Sequence, residues 1–136
     1  MEKEYQKSWK GFVIWLVVFV AALAGVMLLP LEDGALVSRL ILLLMLWWIQ
    51  ALTVQIFLTE QVYWYNGVEF EDAKAAGSER RRAYAWAHVK RFGWATLLGT
   101  AVTLLAQLLR WPVWLDMIAV FVLLMAAAFS TIRFKL

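Results

Sequence analysis

TEQVYWYNGVEFEDAKAAGSERRRAYAWAHVKR, Thr59 to Arg91, is the one long polar stretch in a chain otherwise built from apolar runs. It holds Lys74, Arg80, Arg81, Arg82, Lys90 and Arg91, six of the thirteen Lys and Arg. On either side of it lie two long apolar segments, so the chain reads as two hydrophobic hairpins joined by a charged connector. Composition sets the solvent. Of the 136 residues, 64% are hydrophobic and 15% aromatic, and the mean hydropathy is +0.71, whereas soluble domains are nearer half apolar. A chain this short has too much surface to hide four such helices from water. A membrane is the environment that accommodates them.

Upstream of the connector, Gly11 to Leu29 contains no charge. At 1.5 Å per residue it covers about 28 Å, close to the hydrocarbon thickness of a bilayer. The basic start and Ala22-Leu23-Ala24 also resemble a secretory signal, but the apolar run continues through Val26-Met27-Leu28-Leu29, so cleavage would leave a greasy terminus. Pro30 to Gly34 forms a turn cluster. A second span is expected over 36–58. Taking about 100° per residue, Arg39, Gln50, Thr53, Phe57, Glu60, Gln61 and Trp64 share one of its faces, and Gln55 points elsewhere.

Within the connector, Tyr63, Trp64 and Tyr65 form an interfacial aromatic belt and Asn66-Gly67 marks a turn. Glu69, Glu71 and Asp72 suit the start of a short helix over 68–76, with Gly77 as its stop and Ser78 as the cap of the next helix. Nothing breaks the pattern between Glu79 and Phe92, so the third span, 92–109, continues a helix that starts in water. Thr96, Thr100, Thr103 and Gln107 recur at helical intervals, and Arg110 extends their face. Trp111-Pro112 leads to the fourth span, 113–132. The expected fold is an all-α membrane protein: four transmembrane helices in an antiparallel bundle, one domain, with a partly helical segment at 59–91.

Charge orients the bundle. Three Lys near the N-terminus, the six cations of the connector, and Arg133 and Lys135 fall on one side, against Arg39 and Arg110 on the other. The positive-inside rule then places both termini and the connector in the cytoplasm.

Six groups of residues are candidates for function. Gln50, Thr53, Thr96, Thr100, Thr103 and Gln107 form two facing polar stripes, which serve either as hydrogen-bonding glue between helices or as the wall of a small-solute path. No titratable group sits at mid-depth, which disfavours a proton-coupled pump. Arg39 and Asp116 are expected to pair near the outer boundary, since a lone buried charge is costly. Glu60 and His88 form a candidate titratable pair near the inner boundary. Arg80, Arg81, Arg82, Lys90 and Arg91 suit anionic lipid head groups or an acidic protein partner. Trp47 and Trp48, unusual at mid-span, fill space between helices or wall a pocket. Ala21 and Gly25 have the spacing that allows close helix approach, within the chain or between copies of a homo-oligomer.

No thiol is present, and one His with one carboxylate makes no metal constellation, so neither metal nor cofactor is expected. No catalytic triad order, phosphate loop or paired intramembrane carboxylate is present, so no enzymatic activity is expected. The basic residues sit beside apolar spans rather than in a nucleic-acid-binding pattern. The sequence therefore points to a membrane subunit or scaffold acting through 59–91, the alternative being an oligomeric passive channel or small-solute transporter built on the stripes.

Overall fold

The computed structural model describes residues 4–136, so Lys3, one of the basic residues in the charge comparison, lies outside the described residues. Those residues form five α-helices and one 3₁₀ turn, with no strand among them. Helix α1 is Lys10–Met27, α2 Gly34–Thr59, α3 Phe70–Ala76, α4 Ser78–Leu108 and α5 Val113–Thr131, and the 3₁₀ turn Val62–Trp64 follows α2. Three of the helices, α1, α2 and α5, are long and apolar enough to cross a membrane. The apolar half of α4 is diluted by Thr96, Thr100, Thr103 and Gln107, the same residues that mark its polar stripe.

Helix boundaries follow local chemistry. Asp33 caps α2 by accepting the Ala35 amide at 3.0 Å. Glu60 turns the chain out of α2 with φ 61°. Gly77 takes φ 84°, which a residue without Cβ tolerates, and so breaks α3 from α4. Ser78 is the first residue of α4 and Gly77 occupies the cap position, so the expected serine cap is not made. The end of α4 is a Schellman turn. The Trp111 amide bonds the Ala106 carbonyl at 2.9 Å and the Arg110 amide bonds the Gln107 carbonyl at 3.4 Å. Arg110 takes φ 54° in this turn and is exposed. It leaves the helix there instead of extending the polar face of α4.

Helix α4 packs against both α2 and α5, whereas α1 packs against α2 and contributes no buried residue. The face that α4 turns inward carries Ala95, Thr96, Gly99, Thr103 and Ala106. Small side chains at these steps let the neighbouring helices approach closely. A Cβ on Gly99 would stand 2.8 Å from Leu46 Cδ1, so Leu46 of α2 fills the notch that the glycine leaves. Leu42, Leu46 and Val120 make the core between α2 and α5. Helix α1 is fastened to α2 by a reciprocal pair of bonds: the Trp15 indole donates to the Trp48 carbonyl at 2.8 Å and the Trp48 indole donates to the Trp15 carbonyl at 3.0 Å.

Burial is inverted relative to a water-soluble protein. Arg39, Thr53, Thr96, Thr103 and Asp116 are buried, while Val17 of α1 is 61% exposed and Phe121 of α5 63% exposed. Ala21 and Gly25 also face outward, and a Cβ on Gly25 would meet nothing within 4 Å.

Candidate functional site

Polar side chains gather at the two ends of the helices and along the seam between α2 and α4. At one end, Arg39 is 3% exposed and Asp116 0%. The Arg39 Nε donates to Asp116 Oδ2 at 3.0 Å and one terminal nitrogen donates to Oδ1 at 3.2 Å, a two-pronged match of guanidinium to carboxylate. The other terminal nitrogen donates to Gln107 Oε1 at 2.9 Å, and the Trp111 carbonyl accepts as well. One arginine thus joins α2, α4, α5 and the Schellman turn. Its donors are directed into the protein, so Arg39 itself is not available to draw anions in, and the exposed cation at this end is Arg110.

Along the seam, the six stripe residues do not face one another across an open path. Thr53 Oγ1 donates to the Gln50 carbonyl at 2.7 Å and Gln50 Nε2 donates to the Val89 carbonyl at 3.3 Å. Thr96 Oγ1 donates to the Phe92 carbonyl of its own helix at 2.8 Å. Thr100 Oγ1 accepts from the Trp47 indole at 3.0 Å, so Trp47, half exposed, straps α2 to α4. Gln107 belongs to the Arg39 cluster. Thr103 Oγ1 is buried with no partner among the described residues.

The other end is an aromatic assembly. Ile56, Val62, Tyr63, Ala73, Tyr84 and Ala85 form its core, with Tyr5 and Phe134 packed against it from the two ends of the chain. The segment before α1 is strapped down: Tyr5 Oη donates to the Glu60 carbonyl at 2.7 Å, Tyr63 Oη donates to the Ser8 carbonyl at 2.8 Å, and the Trp64 indole donates to the same carbonyl at 3.0 Å. Burial is the main reason the Tyr5 hydroxyl is pushed up to about 12. Sequence reasoning missed this strap. Tyr5 and Trp9, aromatic residues in an otherwise polar leader, were the available signal.

The basic block divides. Arg81 is buried, donates to Glu60 Oε1 at 3.3 Å and to the Ala73 carbonyl at 3.0 Å, and lies 3.9 Å over the Tyr5 ring. It is a structural tie, because its fork is filled, and so it is not free to grip lipid or a partner. Arg82 reaches Glu60 Oε2 at 3.8 Å but is mostly exposed. Arg80, Lys90 and Arg91 are exposed, and Arg91 lies 5.7 Å over the Phe134 ring. The described ion pairs of the block go to Glu60, not to the acidic turn at Glu69, Glu71 and Asp72.

Glu60 and His88 are not brought together. Glu60 is taken by the arginines, and the His88 ring stacks on Tyr65 at 3.9 Å with the Phe134 ring edge-on at 5.2 Å. Its Nδ1 donates to the Tyr84 carbonyl at 2.9 Å. Burial lowers its pKa, and the Tyr84 bond opposes that only in part, so His88 is held neutral. The same burial raises the Tyr65 and Tyr84 hydroxyls. Beside this stack, a cleft of about 970 Å³ opens between the turn at 65–68, α3, α4, the end of α5 and the last residues of the chain. Comparisons with protein-family models, with curated proteins and with solved structures find no match for this chain.

Proposed function

We propose that the chain is a four-span integral membrane protein, its helices antiparallel and both termini cytoplasmic, that acts as a non-enzymatic subunit or scaffold and presents 59–91 to a protein partner. The observation that carries this reading is the division of the basic block. Arg81 is immobilised as a structural tie while Arg80, Arg82, Lys90 and Arg91 stay exposed on the rigid first turns of α4. A preorganised charged face of this kind binds without first having to be ordered. The inverted burial supports the membrane setting, since apolar side chains that face outward cost nothing in hydrocarbon. Helix α4 supplies the fourth span from Phe92 onward, its polar stripe covered by α2 and α5.

The seam favours glue over conduction. Gln50 donates to the Val89 carbonyl, the Trp47 indole to Thr100 and Thr96 to the Leu46 carbonyl at 3.4 Å, all between α2 and α4, and Leu46 fills the notch at Gly99. The test is co-purification in mild detergent. A partner recovered in fixed ratio with the wild type is expected to be lost in R80E/R82E/K90E/R91E, in which Arg81 is kept so that the fold survives. Undiminished recovery with that variant would overturn the scaffold reading.

A further inference from the structure

The cleft beside His88 is lined unevenly along its length. Phe92 of α4, Phe129 of α5 and Ile132 just past the end of α5 stand at one end, where Phe129 and Ile132 are exposed and Phe92 is half-buried. Arg80 stands at the other end, twelve residues earlier on α4, roughly 18 Å along the helix axis. Lys135 also lines the cleft and follows Phe134, whose ring lies 5.2 Å from that of His88, four residues before Phe92 and eight after Arg80 on α4. Two cations line the cleft against one carboxylate side chain, Asp72. The floor is the aromatic stack of Tyr65 and His88, and Phe134 holds the chain end in place as a wall.

This gradient matches a single lipid standing in a bilayer. We propose that the cleft binds one anionic phospholipid, its acyl chains against Phe92, Phe129 and Ile132, its phosphate at Lys135 and its headgroup extended toward Arg80. The proposal rests on the membrane reading above. The cleft shares Arg80 with the exposed basic face, whose other cations, Arg82, Lys90 and Arg91, do not line it. A His88 held neutral contributes hydrogen-bonding and stacking surface, so the attraction for the phosphate comes from Lys135 and Arg80. Net negative charge of the phosphate and headgroup is the feature recognised, since a choline extended toward Arg80 would meet like charge, and the apolar end makes a membrane lipid rather than a free phosphate its source.

The experiment is native mass spectrometry of the full chain in detergent, titrated separately with phosphatidylglycerol, phosphatidylcholine and soluble glycerol phosphate. Phosphatidylglycerol is expected to be retained over phosphatidylcholine, and R80Q/K135Q to weaken its binding roughly thirtyfold from the loss of two cations near the phosphate. A75W, which obstructs the headgroup end without changing charge, should also lower retention, and R110Q at the far end of the molecule should leave it unchanged. Equal retention of the two lipids, an unaltered preference in R80Q/K135Q, or glycerol phosphate binding as tightly as the lipid would overturn the proposal. A chain that stays soluble and monodisperse without detergent would instead overturn the membrane reading, so the two failures are distinct.

Discussion

Asp116 shows how much one side chain can hold. It is fully buried and receives two prongs of the Arg39 guanidinium, which also reaches Gln107 and the Trp111 carbonyl. Removing one partner leaves a buried charge without compensation, a cost of about 3–5 kcal/mol, whereas replacing both with apolar groups of similar volume is often neutral. D116A is therefore expected to lower stability by about that amount, and R39M/D116L to recover most of it, read as the midpoint of unfolding in detergent followed by circular dichroism. An unchanged midpoint for D116A would mean that Arg39 is not left buried and uncompensated when its partner is removed. The two residues were recognisable from sequence as opposite charges at equal depth. Gln107 as a third partner was not, since its spacing with Thr96, Thr100 and Thr103 assigned it to a stripe. The carbonyl of Trp111 was also invisible, because it is aimed at Arg39 only by the left-handed turn at Arg110.

Among the elements, α4 sets the architecture. Ala95, Gly99 and Thr103, four residues apart, lie on its buried face and allow α2 to pack closely through Leu46. A branched side chain at Gly99 would meet that leucine, so G99V is expected to destabilise by about 1–3 kcal/mol, and L46A in the same chain to relieve part of the strain. If G99V unfolds at the wild-type midpoint, the contact is not the seam's control point. The four-residue spacing is present in the sequence, where threonine carries two properties at once, a polar hydroxyl and small size, and helical periodicity does not tell which of them the seam uses. Ala21 and Gly25 of α1 have the same spacing, yet both face outward. Spacing alone therefore identifies helices able to approach closely. It does not tell which helices do so.

At the scale of the whole molecule, one end gathers the segment before α1, the region 60–91 and the last residues of the chain, and the other gathers Arg39, Gln107, Trp111 and Asp116. The proposed orientation is directly testable because the chain contains no cysteine. In G34C, an impermeant thiol reagent is expected to label intact cells. In S78C it should label only after the membrane is opened. Labelling of S78C from outside would reverse the topology. Both positions are exposed, so a lack of reactivity through burial is not an explanation available to either result.

What the sequence determined by itself was the helical class, the approximate extent of the helices, the continuation of α4 back to about Glu79 and the asymmetry of charge. These follow from apolar run length, from breakers such as Gly77 and Pro112, and from counting cations, all of which are local properties of the chain. Only the tertiary structure decided which polar groups meet. It gave Glu60 to Arg81 instead of His88, directed Thr53 and Thr96 to backbone carbonyls and Thr100 to the Trp47 indole, and assembled the cleft from α3, α4, α5 and the chain end. The physical reason is that a hydrogen bond or a notch-filling contact depends on distances of a few ångströms between residues far apart in sequence, and helical periodicity fixes a residue's face without choosing its neighbour.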